Sequence, residues 1–295
     1  MWIGHRLSYK ILLTSTWRRQ IAVLTAVTIS TAIYLEYFSL HIKIPATVVS
    51  ILGISLSFFI GFLNSHAYER WLEARKAFGN VRVYSRDFTR MVLAFIPERE
   101  LQRRMIFRQI AFIYATSARL RHEGSESYRN YLDAKELAEI EGYSDVPLAL
   151  LLLQAKTLDE AVRSNCLDVY RMTAMNRSLN DMTASVGTCD RFTDTPFFPF
   201  YLTIVIYAQW AFVILFPMAI ADDVGYWAIP NSFVIGMILT WLVHGAYALM
   251  DPYDRSPSAV ALNTLARSTE IEMLQQLGGE TIPSPVAPVN GVYQP

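Results

Sequence analysis

Cysteine is nearly absent: Cys166 and Cys189 are the two in 295 residues. They stand far apart and outside any metal-ligand spacing. That excludes a disulfide scaffold and a CxxC site, and leaves reduced structural thiols. Net charge is absent as well, because 26 Lys and Arg balance 26 Asp and Glu. The electrostatic footprint of a nucleic-acid binder is therefore missing. There is no GxGxxG, no Walker loop and no HExxH, and the histidines His5, His41, His66, His122 and His244 are dispersed. No nucleophile, base and oxyanion donors can be grouped, so no enzyme activity, cofactor or bound metal is expected. Runs that alternate as strands are few, and no repeat of fixed period is found.

Apolar residues are plentiful. They make up 53% of the chain against 18% charged, and mean hydropathy is +0.24. The balance is that of a protein partly in membrane and partly in water. A bilayer core of about 30 Å needs roughly 20 apolar residues in a helix. Four stretches meet that length: 20–41, 45–65, 198–220 and 226–249. The run "VPLALLLLQA" is too short to span and reads as a buried helix of the water-facing part. The first 19 residues are polar and basic, and the apolar run after them has no evident cleavage site, which argues against a signal peptide.

Basic residues give the orientation. Arg6, Lys10, Arg18 and Arg19 precede the first span, and Arg70, Arg75, Lys76 and Arg82 follow the second. Lys43 alone occupies the first short loop, and the second, "ADDVG", is acidic. The positive-inside rule then places both termini and residues 66–195 in the cytoplasm. The expected fold is all-α: four transmembrane helices in two hairpins plus a helical cytosolic region. The expected divisions are 1–65 with spans one and two, 66–195 cytosolic, 196–250 with spans three and four, 251–277 a cytosolic C-terminal helix, and 278–295 a disordered tail. Pro97 and Pro147 mark turns in the cytosolic part, and Arg82, Arg86 and Arg90 form a basic row expected to be solvated or to face lipid headgroups. His244, inside the fourth span, reads either as a functional group or as a neutral imidazole bonded to a neighbouring helix. Glu36 near the outer end of span one can snorkel to the interface, or act with Asp222 and Asp223 at an external mouth.

The second span, "ILGISLSFFIGFLNSHAYERW", has two stripes. Gly53, Ser57, Gly61 and Ser65 recur every fourth residue, and Ile54, Phe58 and Phe62 recur at the same step one position later. A four-residue step drifts only about 40° round a helix, so each set forms a row, the bulky one about 12 Å long. Small residues let another helix approach closely in lipid, and Gly61, between Phe58 and Phe62, is expected to be the most sensitive of them. The bulky row beside them can face a shared axis and gate by dewetting, or can face lipid or a helix of the same chain. Ile60 is expected on the lipid-facing side.

The stretch "ISLSFFIGFLNSHAYERWLEARKAFGNV" resembles the second-helix signature of the bestrophin family, through Ala67, Tyr68, Arg70, Trp71, Glu73 and Arg75. Two hairpins, a helical insertion, "DTPFFPF" before span three and "DPYD" after span four match the family layout over roughly residues 1–275. The resemblance implies a homopentameric ion channel of the bacterial inner membrane that passes chloride or other inorganic anions across the lipid bilayer. It implies a pore neck at Ile54, Phe58 and Phe62 and a cytosolic constriction at Phe197 or Phe198. Phe ring edges at the neck favour anions, whereas Glu36, Asp222 and Asp223 favour a cation channel of the same architecture. A membrane-anchored signalling or scaffold protein is the rival of another class. Animal relatives carry an acidic calcium cluster after span four. Here that segment holds only Asp251 and Asp254, with Arg255 adjacent, so calcium-independent activity is expected.

Overall fold

The computed structural model of the chain describes residues 9–38, 44–124, 126–195, 197–279 and 281–288, with side chains from Thr16 on except that of Phe38. Every regular element among the described residues is helical. The chain divides into two compact units: one takes residues up to Arg70 together with 197–250, the other takes 71–195 together with the residues from Asp251 on.

The membrane-type unit contains four apolar helices. The first, α1, is Tyr9–Ile33, extended by a π-helical turn at Tyr34–Phe38. The second, α2, is Ala46–Phe95, a single helix of 50 residues whose first half belongs here. No loop interrupts it at residue 65, because no Pro or Gly-rich turn stands there, and its length is about 75 Å at 1.5 Å per residue. Helix α7 is Pro199–Val224 and α8 is Ala228–Met250, joined by a 3₁₀ turn at Gly225–Trp227. Gly225 makes that tight reversal with φ +57°, which glycine adopts without Cβ strain. Helices α1, α7 and α8 pack on one another. Leu56, Ile60, Leu63 and Ala67 of α2 cluster with Val205 and Phe212 of α7 and Val243 and Ala246 of α8. Ile60 is only 3% exposed, so it faces this core and not lipid. Its spacing from Leu56 and Leu63, four and three residues, puts all three on one face.

The second unit is built round α3, Arg99–Leu120, with a 3₁₀ turn at Ser127–Tyr131, α4 at Ala134–Ile140, α5 at Val146–Arg163, α6 at Val169–Asp194 and α9 at Leu262–Leu277. Pro97 lies in the turn between α2 and α3, and Pro147 sits in the first turn of α5, where its missing N–H costs nothing. Leu150, Leu151 and Leu153 of the short apolar run are buried. They join Phe78 and Phe88 of α2, Ile106 and Ile113 of α3, and Met175 and Met182 of α6 in the core.

The most deeply buried polar side chains of this core are paired. Arg108 donates to Glu136 at 2.5 Å, Thr157 at 2.9 Å and Gln154 at 3.3 Å. Glu136 also closes a capping box with Asp133 at the start of α4. Helix α9 begins at Leu262, and residues 251–261 ahead of it form turns, so the helix does not fill the expected 251–277. Residues 281–288 carry no helix or strand. The rest of the expected tail, 280 and 289–295, lies outside the described residues, as do His5, Arg6, His41, Lys43 and the side chain of Lys10.

Candidate ion pathway

Ile54, Phe58 and Phe62 lie on the face of α2 that the chain leaves uncovered. They are 63%, 66% and 55% exposed. The rings of Phe58 and Phe62 are neighbours, with centroids 6.3 Å apart and planes tilted by 39°. The uncovered row and the Leu56, Ile60, Leu63 row therefore divide one apolar helix into an inner and an outer side.

The small-residue row does not act as one surface within the chain. A Cβ on Gly53 would stand 2.8 Å from Phe212 of α7, so glycine is needed there for close approach. Gly61 has nothing within 4 Å of its Cβ position, and Ser57 and Ser65 are exposed. The expected crowding at Gly61 is thus absent within the chain. The cause is geometric: three four-residue steps accumulate about 120° of drift, so the two ends of the row face different ways. Ser57 returns its hydroxyl to the carbonyl of Gly53 at 2.9 Å.

Phe197 is half-buried and packs against the core of its unit, whereas Phe198 is largely exposed and meets Phe200 edge-on at 6.3 Å. Arg19 of α1 reaches Nδ1 of His244 on α8 at 3.2 Å. A guanidinium only donates, so Nδ1 accepts and the imidazole in this bond is neutral. Tyr34 donates to Asp222 at 2.9 Å, while Glu36 and Asp223 are exposed.

The sequence of this chain matches the family described as "Bacterial/Fungal Bestrophin protein" over residues 10–275. The chain belongs to that bestrophin family. It is 29% identical to the voltage-dependent anion channel-forming protein YneE of Escherichia coli K12, over 85% of this chain and 83% of that protein. It is 26% identical to the voltage-dependent anion channel-forming protein mll4386 of Mesorhizobium japonicum, over 87% of this chain and 82% of that one. The crystal structure of a bacterial bestrophin homologue from Klebsiella pneumoniae superposes with a TM-score of 0.85 at 25% identity, covering 89% of this chain and 98% of that one.

In this bestrophin the signature after the second span acts as a set of staples. Ala67 is fully buried. Arg70 donates to the last carbonyl of α8, that of Met250, at 2.9 Å. Trp71 donates to the carbonyl of Ser258 at 2.8 Å, and Arg75 lies over the Trp71 ring at 5.4 Å. Tyr253 of the "DPYD" segment donates to the carbonyl of Ala74 at 2.8 Å. Asp251 and Asp254 accept backbone N–H groups of Tyr253 and Ser256, so both carboxylates close local turns.

Sequence reasoning missed the partners of the basic row. Arg82 donates to Thr269 at 2.8 Å and Ser268 at 3.0 Å, and Arg86 pairs with Glu272 at 2.5 Å. The row is therefore docked on α9, and only Arg90, bonded to the adjacent Asp87, fits the solvated reading. Burial, then the neighbouring Arg86, hold the Arg82 guanidinium below its ordinary range. Also missed was Glu270, which is almost fully buried and accepts hydrogen bonds from Tyr114, Tyr131 and Arg267. Burial and the bond to Glu270 push both phenols well above the usual range, so they remain donors. The Cys189 thiol is pushed up to about 11 by burial, in keeping with an inert structural cysteine.

Proposed function

We propose that this bestrophin is a homopentameric anion channel whose neck is formed by Ile54, Phe58 and Phe62. The observation that carries the reading is the uncovered apolar row on α2, beside a second row that the chain buries. Five copies of that row round one axis make a narrow dry ring. A hydrated ion must shed water there and the walls return nothing, so the ring gates by wetting and drying. The names of the relatives, voltage-dependent anion channel-forming proteins, support anions as the cargo, with chloride the commonest candidate. Phe58 and Phe62 fit that choice when their positive ring edges turn inward.

Phe198, the more exposed of the two candidates, is the better fit to a cytosolic constriction. Exposed Ser57, Gly61 and Ser65 offer a surface on which neighbouring subunits can close. The protein sits in the inner membrane with both termini cytoplasmic, 66–195 as its cytosolic helical region and 251–277 carrying the cytosolic α9. Exposed Glu36 and Asp223 favour a second reading, a cation channel of the same architecture. Reversal potentials of the purified protein in bilayers under a salt gradient separate the two. A shift towards the chloride potential supports the anion reading, a shift towards the cation potential supports the second, and no flux from an intact pentamer points to a scaffold.

A further inference from the structure

Beyond Phe62 the uncovered face of α2 turns polar. His66 follows Phe62 by four residues and Glu69 follows His66 by three. The two steps together return to within about 20° of the direction of Phe62, so both residues continue its row. Both side chains are exposed, and Nδ1 of His66 stands 3.5 Å from an Oε of Glu69. That is long for a charge-assisted hydrogen bond. It is close to the spacing of two ligands on a tetrahedral zinc ion, about 3.3 Å when metal–ligand bonds are 2.0–2.1 Å.

We propose that His66 and Glu69 form a transition-metal site on the ion pathway, at which Zn²⁺ or a similar ion blocks flux. Imidazole and carboxylate are both zinc ligands, whereas Mg²⁺ and Ca²⁺ take oxygen ligands and gain nothing from the imidazole. No three metal-ligating side chains gather within one chain among the described residues. One chain thus supplies two ligands, and the others come from water and from His66 and Glu69 of neighbouring copies. In this the inference rests on the pentameric pore reading.

Two measurements on the intact assembly test it. The first is titration with Co²⁺, whose visible absorption reports tetrahedral coordination, followed by displacement with Zn²⁺. The second is anion flux in liposomes with Zn²⁺ or Mg²⁺ added. Cobalt bands that Zn²⁺ displaces, and flux blocked by Zn²⁺ but not Mg²⁺, are expected. His66→Ala and Glu69→Gln should each raise the half-blocking Zn²⁺ concentration at least about tenfold, the lower end of what loss of an outer-shell partner costs a metal site. Both positions are exposed, so both variants should fold, and His66→Gln serves as a milder second variant. Absence of cobalt bands, or bands unchanged in the variants, overturns the site and leaves the neck reading to its own alanine variants. Bands without block overturn the site's place on the pathway and count against that reading as well.

Discussion

The two units of the chain obey opposite rules for their surfaces. In the unit built round α3, most large apolar side chains go inside, with Val83, Leu152 and Tyr170 among the exposed exceptions, and the buried polar ones, Arg108, Gln109, Gln154 and Glu270, are all hydrogen-bonded. In the other, Ile29, Ile51, Ile54, Phe58 and Leu242 stand on the outside while Ala67, Ala221 and Ala246 pack within. The difference fits the solvent proposed for each. Water rewards apolar burial, and hydrocarbon does not, so in lipid the inside is chosen by close fit and not by hydropathy. A long apolar residue on the outer side of α2 therefore needs a separate explanation only where it lines something other than lipid, which is the case argued for Ile54, Phe58 and Phe62.

The comparison can be broken most forcefully in the water-facing unit. Arg108→Ala leaves Glu136 buried without its partner, and thermal or denaturant unfolding should show a loss of about 3–5 kcal/mol. Replacing both members with apolar residues should recover most of it, because an apolar core tolerates the removal of a complete pair. In the membrane unit, Ile60→Ala opens a cavity in the α2, α7, α8 core and should cost about 2–5 kcal/mol of stability. Phe58→Ala, two residues away on the opposite face, should cost far less, as read by thermal denaturation in detergent. Equal losses would mean that the two rows are not inner and outer.

Glycine positions sharpen the contrast. Gly53→Ala forces a Cβ against Phe212 and should destabilise the folded chain by about 1–3 kcal/mol. Gly61→Leu meets open space within the chain and should leave folding intact while reducing assembly. Native mass spectrometry decides this: unchanged pentamer mass would remove the stripe from the subunit contact. The neck itself is tested by the triple alanine variant of Ile54, Phe58 and Phe62. A barrier lowered by about 1.4 kcal/mol raises flux about tenfold. Single-channel recording should show higher conductance or longer openings, with Leu242→Ala, an exposed site on α8, as the quiet control. The smallest effect expected is none at all: chelating calcium should leave currents unchanged, since Asp251 and Asp254 are occupied with turn N–H groups.

Span positions were legible from the length of the apolar runs, and the reversal at "ADDVG" from its turn residues. The motif round Arg70 and Trp71 was legible as a signature, though not as a set of staples to carbonyls of Met250 and Ser258, because those partners are distant in sequence. Faces of α2 were half legible. Its membrane half is apolar all round, so periodicity could not tell that Ile60 points in while Ile54 points out. Gly53 and Gly61 look alike in the sequence, and only the drift of the row separates their surroundings. Arg82 and Arg86 looked solvated because charge patterning carries no record of a partner on α9.

Glu270 bears on how this gene tolerates damage. A stop codon ahead of Leu262 would do more than shorten the protein. It would strip Tyr114 and Tyr131 of their acceptor and Arg86 of its counter-ion, and it would take Leu262, Ala266 and Met273 out of the core. Cells carrying such an allele should therefore clear the product by quality control, whereas truncation beyond Gly279 removes neither the acceptor, the counter-ion nor those core residues.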